Sequence, residues 1–434
     1  MAWRDAIAPA RMERIAVVTP EPCLARVLTA VSDARAVQLD GVAPEASVEE
    51  TARTAVERDG VSALVGWAPA AAVGELQGRL GALGGAVARL HRPPGIEPPT
   101  LVSARGASGA FEPLVQTYAT MPYADLDPAV FAGLAYVVMF GMMFGDVAHG
   151  ALLVIGGLVL RSGHPRALSG LRRLAPFVIG GGVTAMLFGL AYGEAFGPTH
   201  AVPTLWLAPL DHPTTLLAVA VVAGGGLLAV AYALGTVNRW REGGPARALV
   251  ATSGLAGAAV YLGLGLVSLG FYEHGSALSI AGGSLALCGL GFGFLGCYAE
   301  TGGAIQAGVE LFDSVIRIGT NTVSFARLAA FGLTHAALGN VIWSATTGLW
   351  NRGAGFAIAA GLVFLFGNAV SFSLEGLVAA VQALRLEYYE LFSRIFTGEG
   401  RPFLPWHCPD VAGGSDSVSR LSMDPSKEVS CSPG

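Results

Sequence analysis

Apolar residues along this chain are distributed in two regimes that change over near residue 115. Before it, short apolar runs alternate with polar ones. Residues 14–18, 37–39 and 61–69 read as strands, 24–32 as a helix, 45–59 as helix-like and 71–90 as a weak helix. These elements predict a small α/β domain with its sheet covered on one face. Residues 91–100 contain Pro93, Pro94, Pro98 and Pro99 and read as an extended linker. Beyond it, residues 128–145, 147–160, 175–196, 215–237, 249–271 and 278–298 are apolar runs of roughly membrane-spanning length. Only Asp146 separates the first two, which predicts a tight pair of spans with Asp146 and His149 at the turn, capping or pinning it.

Two later apolar stretches differ by carrying polar stripes. At about 100° per residue, Thr320, Ser324, Arg327 and Thr334 share one side of a helix, with His335 at its edge. In the second stretch Asn368, Ser371, Glu375 and Gln382 fall in a narrow sector, and Arg385 lies beside it. A guanidinium at membrane depth costs at least ~2.5 kcal/mol even on the most lenient insertion scale, so its position needs a reason. Arg327 either snorkels from a helix end to the headgroups or faces a buried ion path. The matching stripe on the second helix favours the path. Glu375 is then a proton relay, or else a static ion pair with Arg385 or Arg327.

The fold class expected is a mainly α membrane protein with about eight transmembrane helices, two of them long and polar-striped, preceded by a small α/β cytoplasmic domain. Residues 1–115 form the cytoplasmic arm, 116–400 the transmembrane domain and 401–434 a cytoplasmic tail, largely disordered for its Ser, Pro, Gly and Asp content. Composition agrees: of 434 residues 53% are hydrophobic and only 13% charged, about half the charged share of a soluble domain. The net charge of −5 is spread over soluble and loop segments without a basic patch, which sets nucleic acid aside as a partner. Lys427 is the sole lysine, so no G-x-x-x-x-G-K-[ST] phosphate loop exists and no nucleotide site is expected. The five cysteines lack zinc spacing and read as small hydrophobes or free thiols; no metal or cofactor site is assigned.

The N-terminus lacks an apolar signal core and is expected to stay in the cytoplasm. Arg161, Arg166, Arg172, Arg173, Arg239, Arg241 and Arg247 then fall in cytoplasmic loops, while the external loops are nearly free of Lys and Arg. This places both termini inside. Glu194 reads as a solvated charge at an external mouth. Glu300, Glu310 and Asp313, near the cytoplasmic entry to the arginine helix, form either an acidic vestibule or a solvated face. The Ala-, Gly- and Arg-rich, Lys-poor usage points to a prokaryotic cell membrane.

Several ordered motifs carry a family resemblance. Phe140-Gly141-Met142-Met143-Phe144-Gly145-Asp146-Val147-Ala148-His149-Gly150, preceded by Pro122-Tyr123-Ala124-Asp125-Leu126-Asp127-Pro128, resembles the first transmembrane motif of the V-type/A-type ATPase membrane stator subunit. Gly189-Leu190-Ala191-Tyr192-Gly193-Glu194 follows, then Arg327-Leu328 with His335, Leu374-Glu375-Gly376, Ala383-Leu384-Arg385-Leu386 and Gly398-Glu399-Gly400-Arg401-Pro402-Phe403, in the family's order. The resemblance runs from about Gly66 to Trp406. It implies a non-catalytic subunit that lies against a rotating proteolipid ring and forms two offset half-channels. Arg327 matches the family's arginine, which forces each passing carboxylate to release its proton and blocks a direct leak. An opposite charge within ~4–6 Å lowers a carboxyl pKa by about 1–3 units. Glu375 and Arg385 match half-channel residues, and His335 a histidine on the arginine's helix. Gln382 stands where the family often has histidine. Peripheral and central stalks are the other partners implied, together with lipid. The family's cytoplasmic arm is longer and contains a coiled coil, whereas here about 115 residues without a long heptad run precede the membrane. That departure keeps a second reading open: a headless or scaffold-type relative with an assembly role or an independent ion pathway.

Overall fold

The computed structural model describes residues 9–93, 96–101, 111, 114–115, 121–123, 125–163, 166–199, 201–396 and 400–408. It divides into two units. The first is built on β1 (Met12–Pro20), whose alternation of Ile15 and Val17 with more exposed positions buries one face. β1 lies antiparallel between β4 (Val61–Pro69) and β5 (Ala86–Leu90), while β2 (Gln38–Leu39) and β3 (Val56–Arg58) pair with the other edge of β4. Helices α1 (Leu24–Ala34) and α3 (Ala70–Gly81) supply Val27, Leu28, Val31, Val73, Leu76 and Leu80 to the core over this sheet. The short α2 (Val48–Arg53) starts at Ser47, whose hydroxyl accepts from the Glu50 N–H.

Two expected helices are shorter than their apolar pattern. The helical reading of 45–59 holds only for α2, because residues 56–58 pair along β4. The weak helix over 71–90 ends at Gly81, turns through Gly84 at φ +81°, and becomes β5. A free edge on β1 offers residues 86–90 a ladder, and helix propensity over Gly81, Gly84 and Gly85 is too low to compete. Residues 401–408 also depart from the loose tail expected. Trp406 is buried and its indole N–H donates to the Ala46 carbonyl at 3.0 Å, while the Cys408 N–H donates to the Ser32 hydroxyl at 2.8 Å. Cys288, Cys297 and Cys408 are free, whereas Cys23 is disulfide-bonded, against its reading as a free thiol or small hydrophobe. The expected disorder beyond residue 408 lies outside the described residues.

The second unit is a helical bundle: α4 (Ala129–Met143), α5 (Val147–Ser162), α6 (Ala175–Tyr192), α7 (Pro213–Val250), α8 (Leu255–Tyr272), α9 (Ser276–Thr301), α10 (Ala304–Ser324), α11 (Ala326–Trp350) and α12 (Ala357–Leu386). Among the described residues six helical segments are long and apolar enough to cross a membrane, with α10 and α11 counted together, and α4 and α5 are shorter apolar helices. α5 packs on α6 through glycines: a Cβ at Gly182 would stand 2.8 Å from the Gly150 carbonyl oxygen, so the backbones touch where no side chain intervenes.

The polar stripe expected over 320–335 is divided between two helices. The regular helix breaks at Phe325, whose ring is fully buried against α7 at Gly224, and Thr320 and Ser324 therefore belong to α10. α10 carries Ile305, Val309, Phe312 and Ile316 along one exposed side, with Glu310, Asp313 and Arg317 on its flank. α7 also runs further than its apolar core. Arg239 and Arg241 are helical rather than in a loop, and a kink at Gly243 and Gly244, next to Pro245, precedes Arg247.

Trp406→Ala should remove a core filler and leave the Ala46 carbonyl without its donor, costing about 3–5 kcal/mol. Limited proteolysis of the intact protein should then cut within residues 9–90, and unchanged resistance would contradict this packing.

Candidate ion-conducting site

α11 and α12 lie side by side and antiparallel, since early α11 residues meet the end of α12 and later ones meet its middle. Their polar side chains gather in two clusters. Arg327, in the first turn of α11, reaches across so that its Nη1 donates to Gln382 Oε1 and its Nη2 to Glu390 Oε1, both at 3.4 Å. Ser324, one turn back on α10, lies beside Glu390, and its hydroxyl donates to the Thr320 carbonyl. Arg327 retains 22% side-chain exposure and lines a mainly apolar groove of about 530 Å³ with Pro213, Leu217, Val323 and Leu333. The charge thus sits at an edge of the bundle with one acidic partner behind it. Arg385 is exposed on α12, on the side towards Glu390.

Eight residues along α11, about 12 Å on a helix rising 1.5 Å per residue, His335 lies in the second cluster. Its Nδ1 is 2.6 Å from Glu375 Oε2, and the Ser371 hydroxyl donates to the same oxygen at 2.6 Å. Glu375 therefore pairs with His335 and with neither Arg385 nor Arg327 among the contacts described, which corrects the static arginine pair. Asn368 is buried one turn away, its side-chain amide donating to the Phe364 carbonyl.

Asp146 and His149 complete the cluster from α5. Asp146 caps the helix: its Oδ1 accepts from the Ala148 and His149 N–H groups at 2.8 Å. Its Oδ2 accepts from Gly197 N–H at 2.9 Å. Gly197 has φ +82°, and a Cβ there would lie 2.9 Å from Gly339 Cα on α11, so only glycine lets this loop close over the site. The His149 ring packs against His335 at a centroid distance of 5.7 Å and against Phe144, Phe196 and Phe372. Glu194 is buried, 4% exposed, at the same loop, which overturns its reading as a solvated external charge.

The acidic group near α10 is divided. Glu300 and Glu310 line one pocket with Arg239 and Arg247, so that pocket is of mixed charge, while Asp313 pairs with Arg317 on its own helix. The residue that sequence reasoning missed is Glu390, the acidic partner of Arg327. Continued α-helical rotation from Gln382 would carry residue 390 about 80° away. A π-helical turn over Glu387–Phe392 slows that rotation and returns it towards Arg327. Two acidic residues, Glu387 and Glu390, directly after the polar-striped helix were the available signal.

Chemically, the first cluster holds a permanent cation at an accessible edge. The second holds two imidazoles and the carboxylates of Asp146 and Glu375, with buried Glu194 beside them, groups able to accept and release protons. Asp146→Ala should lose the cap and the Gly197 bond at about 1–2 kcal/mol, and Asp146→Asn should recover part of it. Thermal unfolding of the detergent-purified protein checks both; a melting temperature for Asp146→Ala equal to that of the unaltered chain would show that the side chain does not hold the turn.

Comparison with known proteins adds a family. The model of the V-type ATPase 116kDa subunit family matches residues 57–172 and 304–408, about half of the chain. A-type ATP synthase subunit I of Pyrococcus horikoshii is 28% identical over 311 residues, covering 68% of this chain and 45% of that protein. The subunit I proteins of Archaeoglobus fulgidus and Halobacterium salinarum are each 28% identical, over 397 and 379 residues, covering 79% and 71% of this chain and 58% and 51% of theirs. The chain spans about half the length of these relatives.

Proposed function

The chain belongs to the V-type ATPase 116 kDa subunit family, and from that footing we propose that it is the proton-conducting membrane stator of a rotary V/A-type ATPase. The observation that carries this reading is the position of Arg327. It stands in a groove of largely apolar residues at the bundle edge, partly exposed, with Glu390 and Gln382 holding it from behind. A proteolipid ring passing this groove brings each carboxylate close to the guanidinium. The opposite charge favours the ionised form, and the proton leaves. Because arginine stays protonated at any physiological pH, it cannot carry the proton onward itself. Transfer across the membrane therefore requires the ring to turn.

Protons reach and leave the ring through polar interiors on either side. Glu375, His335 and Ser371 form one such relay: the short His335–Glu375 contact allows a proton to be exchanged between imidazole and carboxylate. Gln382 does not titrate and serves by orienting Arg327. Asn368 adds an amide one turn away. The mixed pocket of Glu300, Glu310, Arg239 and Arg247 supplies a polar opening on the other side. In this reading both termini are cytoplasmic in a prokaryotic cell membrane, and the stalks of the ATPase are further partners.

Arg327→Ala is expected to abolish coupled proton uptake into vesicles carrying the assembled complex while leaving the subunit inserted; wild-type uptake in this variant would end the proposal. Glu375→Gln is expected to slow uptake by roughly 10²–10⁴-fold if the carboxylate relays protons. An unchanged rate and pH profile would remove Glu375 from the path.

A further inference from the structure

We propose that Asp146, His149 and His335 form a binding site for a borderline-soft divalent cation of the Zn²⁺ type, with Glu375 as the carboxylate that orients His335. One ligand atom from each of the three lies within 4.8 Å of the others, and the residues are 0%, 2% and 4% exposed. Around a tetrahedral zinc ion with bonds of about 2.0–2.2 Å, ligand atoms stand roughly 3.3–3.5 Å apart. The side chains therefore need to close by about an ångström, within the reach of small ring rotations.

His149 is the observation that points to a ligand. Neither ring nitrogen makes a full hydrogen bond although the ring is almost completely buried: Nδ1 stands 3.7 Å from Asp146 Oδ1, and the Asn368 backbone lies near the ring. Buried polar atoms are seldom left in that state, because the lost water contacts go uncompensated. A metal ion facing the ring satisfies one nitrogen outright. The Asn368 carbonyl, within electrostatic reach of the ring, is placed to fix its tautomer.

His335 is prepared in the same way. With Nδ1–H donated to Glu375 Oε2 at 2.6 Å, its Nε2 carries the free lone pair. Ser371 in turn holds Glu375. This carboxylate–histidine chain is the arrangement that orients histidine ligands and raises their basicity. Asp146 is anchored by three backbone N–H groups, two on Oδ1 and one on Oδ2, which fix the carboxylate and leave a lone pair on Oδ2.

The donor set also selects the ion. Two imidazoles and one carboxylate suit Zn²⁺ and its first-row neighbours, whereas Ca²⁺ and Mg²⁺ require six or more oxygens, including waters. Packing of Phe144, Phe196 and Phe372 around His149 leaves little room for such a shell. The carboxylates of Asp146 and Glu375, with buried Glu194 near them, offset the charge of a divalent ion in this apolar surrounding. The site rests on these side chains alone and not on contact with a rotor. An ion on His335 Nε2, with Nδ1–H held by Glu375, closes the proposed His335–Glu375 relay, so an occupied site is an inhibited one. Metal content is read on the isolated chain, so its failure leaves the proton-transport reading intact.

The test uses the full chain, expressed with added Zn²⁺ and purified in detergent, with metal content measured by mass spectrometry. About one tightly held Zn²⁺ per chain is expected, and Co²⁺ loaded after chelation should show the intense visible absorption of a tetrahedral site. His149→Asn and His335→Gln should lose both signals while remaining monodisperse. Glu375→Gln should weaken binding by roughly 10–100-fold and shift the Co²⁺ spectrum, a response that a merely structural carboxylate would not produce. No retained metal in the wild-type chain would overturn the assignment. So would Zn²⁺ content unchanged in His149→Asn, which would place the ion on exposed histidines such as His212 or His274.

Discussion

A charged or ionisable side chain between apolar helices has no water to turn to, so another helix must supply its partner. Arg327 finds Glu390 and Gln382, and His335 finds Glu375. These cross-helix pairs do more than offset desolvation. They set the antiparallel register of α11 against α12, because sliding either helix by a turn would part Arg327 from Gln382 and His335 from Glu375. Small residues then let the backbones approach, and the polar pairs decide where.

The two clusters are held differently. Arg327 is tethered by two long contacts and opens onto a groove, so its charge is available to whatever passes there. The histidine cluster is enclosed by phenylalanine rings and tied to three separate segments: the start of α5, the loop at Gly197 and the α11–α12 pair. Asp146 joins two of these by capping one helix and receiving the Gly197 N–H. This enclosure keeps His335 Nδ1 and Glu375 Oε2 at 2.6 Å.

Glu390 shows how local backbone geometry decides a side chain's partner. Its carboxylate meets Arg327 only because the chain widens into a π-helical turn after Leu386. Phe325 acts similarly at the other end: by burying its ring against α7 it ends α10 and lets Arg327 emerge in the first turn of a new helix. Both irregularities flank the arginine, and both re-aim the polar groups that serve it.

Much of this was legible in the chain. Dense apolar runs determined a helical membrane domain, since only helices or closed barrels satisfy the backbone in lipid. The 100° periodicity brought Asn368, Ser371, Glu375 and Gln382 to one side of α12, because side-chain direction along a regular helix is a property of sequence spacing. Tertiary structure alone decided who meets whom: that Glu375 belongs to His335 and Glu390 to Arg327, that Asp146 and His149 join His335 from almost two hundred residues away, and that Glu194 is buried. The physical reason is that partner choice depends on the register between helices and on breaks such as Phe325 and the π turn. Those are fixed by packing between distant segments, which no local pattern encodes.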